Sequence, residues 1–187
     1  QSACTIGGNL ANNSGGPHCL AEGSTTSHVL GLEFVTADGQ IHEVGGLAPD
    51  QPGLDLRALL VGSEGTLGIA TRILVRLLPI ADDVRTLLLD FPSVEDAART
   101  VSDVIAAGMV PAALEMMDQR MVMAVDNWLG AGLPTDAAAV LLAEVVGSTA
   151  TVESEASIIA EIGRSNHARN VVIAVESEDR ELLWKGR

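Results

Sequence analysis

Tyrosine is absent from this 187-residue chain, and four other aromatic residues are all it has: Phe34, Phe91, Trp128 and Trp184. A platform that stacks bases is therefore excluded. Basic residues are also scarce. Lys and Arg number 11 against 25 Asp and Glu, a formal net charge of −14, and none precedes Arg57. A phosphate backbone demands a basic face, so no nucleic acid is expected as a partner. Long hydrophobic runs are missing, and none approaches the ~20 apolar residues that span a bilayer. The polar, Gly-rich start does not read as a signal peptide. The two cysteines, Cys4 and Cys19, make neither a disulfide framework nor a metal-ligand spacing. A reducing, cytoplasmic compartment follows as the expectation.

What is present is apolar residues, at 47 %, and glycine. That apolar share suffices for a packed core. Thirteen of the nineteen Gly fall within the first 68 residues. Gly adopts positive φ and lets backbone approach a ligand closely. Residues 1–80 accordingly read as loops and short strands built around something. Residues 84–187 read as ordinary packed α and β elements, with Pro79 and the Asp82, Asp83 pair at the boundary. The chain opens on Gln1 rather than Met and closes on Arg187 inside a helical pattern, which reads as a piece of a longer protein.

In the first region, Gly31–Val44 has the alternation of a hairpin, with Asp38-Gly39 as a type I′ turn signal. Ile73–Leu78 reads as a further strand. In the second region, Ser93 and Asp96 resemble a capping box. Val94, Ala97, Ala98, Val101, Val104 and Ile105 then share one helical face, closed by Gly108 and Pro111. Asp118 is placed to cap a second helix carrying Met121, Val122, Val125, Trp128 and Leu129. A third helix runs from Thr151 to about Ile162, and a fourth starts near Ser177. Apolar, β-rich runs at 84–91, 110–116, 138–146 and 171–175 lie between the helices. That alternation alone points to a parallel sheet.

Two glycine segments hold the chemistry. The first runs Cys4-Thr5-Ile6-Gly7-Gly8-Asn9-Leu10-Ala11-Asn12-Asn13-Ser14-Gly15-Gly16. The second is Gly62-Ser63-Glu64-Gly65-Thr66-Leu67-Gly68-Ile69. With no basic residue near the first, any anion there must be held by backbone N–H groups and short polar side chains. Neither segment is a Gly-x-Gly-x-x-Gly fingerprint or a P-loop. Spacing alone leaves open that these glycines only make tight turns.

In order and separation, Ile6-Gly7-Gly8-Asn9-x-Ala11-x-Asn13-x-Gly15-Gly16, Gly31-Leu32-Glu33-x-Val35-x-Ala37-Asp38-Gly39, Asp55-Leu56 and Gly62-Ser63-Glu64-Gly65-Thr66-Leu67-Gly68-Ile69 resemble the second half of the FAD-binding domain of FAD-linked oxidases. Leu114-Glu115-Met116-Met117-Asp118, Gly132-x-Pro134-x-Asp136-Ala137 and the run holding Leu142 and Glu144 continue the likeness to the 2-hydroxy-acid-oxidising branch, which includes glycolate oxidase flavoprotein subunits, cytochrome-linked D-lactate dehydrogenases and D-2-hydroxyglutarate dehydrogenase. The resemblance implies an α+β chain of the vanillyl-alcohol-oxidase type. Residues 1–80 would be the C-terminal part of the FAD-binding domain, and residues 84–187 the N-terminal part of a cap domain with an antiparallel, ferredoxin-like sheet. It overrides the parallel reading.

The resemblance also implies FAD as cofactor. It matches Thr5, Ile6, Gly7, Gly8, Asn9, Asn13, Gly15 and Gly16 to one flavin loop, and Glu64, Gly65, Gly68 and Ile69 to a later one. Trp184-Lys185-Gly186-Arg187 resembles a cap-helix motif whose Arg meets the substrate carboxylate, so Arg187 is the expected substrate-binding residue. A catalytic base, and a divalent metal bound by other residues, would lie beyond Arg187. The implied reaction takes a small (R)-2-hydroxy acid, glycolate or D-lactate, to the 2-oxo acid. Electrons would pass to a partner subunit or to quinone at the periphery of the inner membrane. A D-2-hydroxyglutarate or other D-2-hydroxy-acid dehydrogenase is the alternative within the class, and a non-catalytic α+β binding module is the alternative outside it. His18, His28, His42 and His167 read as turn or surface residues, and Cys4 as a small packed one.

Overall fold

A computed structural model describes residues 4–48 and 53–186 of the chain. Two compact units result, Gln1–Pro79 and Ile80–Arg187.

The first unit contains the helices α1 (Ile6–Asn12), α2 (Cys19–Glu22) and α3 (Leu56–Leu60), and the strands β1 (Val29–Val35), β2 (Ile41–Gly45) and β3 (Ile69–Val75). The strands form an antiparallel sheet in the order β2-β1-β3. Leu10, Val29, Leu32, Leu60 and Val61 make its core. The expectation of loops and strands here missed the helices. α1 forms in spite of Gly7 and Gly8 because both its ends are capped. Thr5 Oγ1 accepts from the Gly8 amide at 3.0 Å, and Asn13 closes the far end in the left-handed region at φ 47. The hairpin turn also differs from type I′. Of its residues, Gly39 alone has positive φ, at 81. The Gly39 amide donates to Thr36 O and the Thr36 amide to Gln40 O, which leaves Asp38 in an ordinary conformation. Strand β3 starts at Ile69, earlier than its apolar run suggests, because β1 pairs with it from Val35 back to Val29.

The second unit alternates β4 (Asp83–Phe91), α4 (Val94–Ala106), β5 (Ala113–Asp118), α5 (Gln119–Leu129), β6 (Ala139–Gly147), α6 (Thr149–Ser165), β7 (Asn170–Ala174) and α7 (Ser177–Lys185). The sheet order is β5-β6-β4-β7, and every neighbouring pair is antiparallel. This is the split β-α-β arrangement of ferredoxin-like domains, and the parallel reading of the bare alternation is corrected. Element order does not fix strand direction. Here β6 inserts between β4 and β5 and runs against both.

The first face of this sheet carries Leu87, Leu89, Phe91, Leu141, Ala143 and Val145 against α4 and α6. Ser93 caps α4, accepting from the Asp96 amide at 3.1 Å and donating to the Asp96 carboxylate at 2.7 Å. On α4, Ala97, Thr100 and Val104 are buried, whereas Val94 and Ile105 stay more than two-fifths exposed. Thr100 joins the core because its hydroxyl donates to Asp96 O, one turn back. Asp118 caps α5 through the Met121 amide. On α5, Val122 is buried, while Met121 and Trp128 point to solvent. α6 begins before Thr151, since Ser148 is its cap.

Candidate functional site

The two glycine segments, far apart in sequence, meet in the first unit. The last carbonyls of a helix have no donors within it. In α1 those of Leu10 and Ala11 accept from the amides of Gly62 and Glu64, at 2.8 and 2.9 Å. To aim those amides the second segment turns through positive φ at Gly62 (83°), Glu64 (53°) and Gly65 (76°). Glu64 has a Cβ and bears the left-handed conformation at some cost. Thr66 ties the turn, its amide and hydroxyl both donating to Ser63 O.

Asn13 joins a third segment to the pair. Its side-chain oxygen accepts from both the amide and the hydroxyl of Thr26, each at 2.9 Å. Thr25 donates twice to Ser14 O. Beyond α1, Cys19 Sγ accepts from the Gly16 amide at 3.1 Å, and a Cβ on Gly15 would lie 2.3 Å from that sulfur. A side chain at Gly15 would force that sulfur to move.

Two cavities border α1. One of about 580 Å³ is lined by Ile6, Asn9, Gly15 and Gly16, together with Cys4 and His18. The other, of about 230 Å³, is lined by Gly7, Gly65, Gly68 and Ile69, together with Phe34 and Ser63. Four of the expected residues line neither and build the frame instead: Thr5 as cap, Gly8 beneath it, Asn13 as clamp and Glu64 as the amide donor. Cys4 and Ser63 belong to the two glycine segments, whereas His18 and Phe34 enter the linings without a sequence signal. Cys4 is exposed, against its expected packed state.

The glycines in the smaller cavity serve two purposes. A Cβ on Gly68 would sit 2.8 Å from Phe34 Cδ2 and 2.9 Å from Val35 O, so Gly68 is needed for the fold. A Cβ on Gly7 would meet nothing within 4 Å. Its hydrogen leaves bare backbone facing open space. Ile6 and Ile69 stand beside these cavities at 56 and 63 % exposure. Backbone polar groups next to uncovered aliphatic side chains suit an extended ligand with polar and apolar parts.

Positive charge plays little part. Arg57, the first basic residue in the chain, donates to Val29 O at 2.7 Å and to Asp55 at 2.8 Å. That guanidinium and the Ala58 amide hold the Asp55 carboxyl below its ordinary range. His42 stacks on Phe34 across the hairpin, with ring centroids 5.4 Å apart. Among the described residues no three of His, Cys, Asp or Glu gather as a metal-binding set. Arg187 lies outside the described residues.

Residues 80–187 match the family of FAD linked oxidases, C-terminal domain, and residues 1–45 match an FAD binding domain. The chain is 43 % identical over its whole length to the glycolate oxidase subunit GlcD of Escherichia coli (strain K12), of which it covers 38 %. It is 45 % identical over 98 % of its length to the GlcD of Bacillus subtilis (strain 168), covering 39 % of that protein. A D-lactate dehydrogenase of Archaeoglobus fulgidus is 38 % identical over 98 % of the chain, which covers 40 % of it. The chain thus spans about two-fifths of the length of these relatives. Among solved structures, an alkyldihydroxyacetonephosphate synthase superposes with a TM-score of 0.72 at 16 % identity, over 96 % of this chain and 36 % of that one. The 4-ethylphenol oxidase of Gulosibacter chungangensis gives 0.70 at 18 %, over 98 and 41 %.

Proposed function

The chain belongs to the FAD-linked oxidases, and from that premise we propose that the intact protein oxidises a small (R)-2-hydroxy acid, glycolate or D-lactate, to the 2-oxo acid. The names of its relatives support this substrate class. The first unit is the C-terminal part of the flavin domain in this reading, and the second is the N-terminal part of the cap.

The observation that carries the flavin assignment is the junction of the two glycine segments. Gly7 leaves bare backbone at a cavity that Gly65 and Gly68 complete from the other side. No Lys or Arg occurs before Arg57, so the donors available are amides and short side chains, as suits a ligand held mainly by backbone. These residues fit FAD. Gly7, Gly65, Gly68 and Ile69 would hold it on one side of α1, and Ile6, Asn9, Gly15 and Gly16 on the other. Thr5, Gly8, Asn13 and Glu64 keep both sides in register. When bound, the flavin supplies a two-electron hydride acceptor.

The chain's own task is placement. Arg187 would pair its planar guanidinium with the substrate carboxylate in a bidentate contact, fixing which hydrogen the α-carbon presents. The group that takes the hydroxyl proton, and any divalent metal, would belong to residues beyond Arg187. Electrons would leave through a partner subunit or membrane quinone. No helix among the described residues is long and apolar enough to cross a membrane, and a peripheral position suits that acceptor.

The test is a visible spectrum of the intact protein purified without added cofactor, followed by anaerobic addition of glycolate or D-lactate. An oxidised-flavin spectrum that bleaches with one acid faster than the other is the expected result, and the faster acid identifies the substrate. A protein that stays colourless after FAD is added would sink the reading.

A further inference from the structure

The second face of the cap-unit sheet is apolar along most of its length. Val140 and Met117 pack there with Val122, Leu133 and Ala137, and Leu88 borders them. Glu144 interrupts this surface. It stands near the middle of β6 at 7 % exposure, opposite the buried Thr86 on β4. Glu115, two residues beyond Glu144's partner Ala113 on β5, shares the face. A buried carboxylate is costly unless hydrogen-bonded, and an aliphatic residue would suit the surrounding surface better.

The bonds that Glu144 accepts indicate its role. Thr86 Oγ1 donates to Oε2 at 3.0 Å, and the Trp184 indole Nε1 donates to the same oxygen at 2.6 Å. Trp184 lies in the last turn of α7, a helix with few other anchors. None of its residues is fully buried, and its N-cap residue, Glu176, makes no side-chain capping bond. One turn before Trp184, Arg180 donates to Val84 O at 3.3 Å, a long contact. Among the described residues of α7, Leu183 joins the apolar cluster beneath. Among the described residues, the Trp184–Glu144 bond is the shorter of these two polar ties between α7 and the sheet. In sequence, Arg187 follows Trp184 by three residues.

We infer that Glu144 is a positioning residue: by holding the Trp184 indole it fixes the end of α7, and with it the point from which the chain reaches the substrate carboxylate. This rests on the 2-hydroxy-acid reading above. It assigns Glu144 and Trp184 to substrate affinity, without contact to the substrate or a part in proton transfer.

The test uses the intact flavoprotein and three variants: Trp184→Phe, Glu144→Leu and Glu144→Gln. Losing a hydrogen bond to a charged group is worth about tenfold in an equilibrium. Trp184→Phe and Glu144→Leu are expected to raise KM for the 2-hydroxy acid about tenfold, with flavin content unchanged and kcat moved much less. The double variant should be no worse than Glu144→Leu alone, because that variant already removes the bond to the indole. Glu144→Gln keeps an oxygen for the indole and should restore most of the affinity. Trp184→Phe keeps the ring and loses the N–H alone, so the test remains readable even if Glu144→Leu does not fold. A wild-type KM in Trp184→Phe overturns the inference, as does a fall of kcat and flavin content together. A parent protein without flavin or turnover overturns the functional reading and the inference with it.

Discussion

The amide of Glu64 donates to the carbonyl of Ala11 at 2.9 Å, and this bond joins the two glycine segments of the chain. Beside it the Gly62 amide donates to Leu10 O at 2.8 Å. The second segment thereby helps cap the C-terminal end of α1, giving the Ala11 carbonyl a donor and the Leu10 carbonyl a second one beside the Asn13 amide. The positive φ angles at Gly62, Glu64 and Gly65 are the conformational requirement of that cap. The glycines at 62 and 65 thus follow from the hydrogen bonds the second segment makes to the first, and Gly68 from its contact with Phe34 and Val35 O.

Gly7 and Gly68 line the same cavity but should respond oppositely to alanine. At Gly68 the new Cβ collides with Phe34 and Val35 O, and overpacking of this kind costs about 1–3 kcal/mol. At Gly7 the methyl has open space, and Ala is the better helix former by up to ~1 kcal/mol. Gly68→Ala in the intact protein should lower the melting temperature. Gly7→Ala should keep or raise it while lowering the flavin-to-protein absorbance ratio. Equal flavin content in Gly7→Ala and the parent would refute the cavity assignment.

Asn13 combines a left-handed backbone with two bonds accepted from Thr26. Asn13→Ala loses both bonds and retains a Cβ in the left-handed region, which costs about 1–2 kcal/mol for the backbone alone. Asn13→Gly loses the bonds and relieves the backbone. Denaturant titration should rank stability as parent, then Gly, then Ala. An Ala variant as stable as the Gly variant would show that φ 47 is not held in solution.

Gly163 lets α6 approach the sheet. A Cβ there would lie 2.2 Å from Leu89 Cδ2, and Leu89 has no exposure and so no room to retreat. Gly163→Ala should destabilise the second unit by about 1–3 kcal/mol, although helix propensity favours Ala. Leu89→Ala should cost less in that background than in the parent, so the double variant loses less than the sum of the two single losses in a double-mutant cycle. Additive effects would contradict the contact.

Acid should act through carboxylates held in their charged form. The Ser93 hydroxyl, and after it His167, hold Asp96 below its ordinary value of 3.8. Arg169 does the same for Asp136, bonding it at 2.9 and 3.2 Å while its Nε donates to Asp90 at 2.7 Å. A carboxylate lowered on folding adds stability above its unfolded pKa, and that contribution is lost as pH falls through the folded value. Stability should therefore be level near neutrality and decline below a pH of about 4. Ser93→Ala should cost ~1 kcal/mol at pH 7 as a lost cap, and the gap should narrow in acid. A gap that widens in acid would exclude this linkage. Added salt should weaken the Asp136 contribution first, since that side chain is 78 % exposed.

Local signals were legible wherever one residue performs one task. Ser93 and Asp118 read as caps, and both cap through the amide three residues on. Gly130 closes α5 in the left-handed region. The helical face on α4 was legible at Ala97 and Val104, yet Val94 and Ile105 proved partly exposed, because sequence period gives a stripe and not its width. Trp128 read as part of an apolar face and stands 76 % exposed.

The sequence by itself determined the punctuation of this protein: caps, glycine turns, a chain without basic residues before Arg57, and the motif order that resembles an FAD-linked oxidase. Tertiary structure decided the rest. It made β6 run against both β4 and β5, where the bare alternation suggested parallel strands and only the family resemblance implied antiparallel ones. It also brought Leu10 and Ala11 to Gly62 and Glu64, and Trp184 to Glu144. The physical reason is common to all three. Propensity and capping act over a turn or two of chain, and one sequence window contains them. Strand direction and the satisfaction of a buried polar group depend on partners tens of residues away, which folding must bring together.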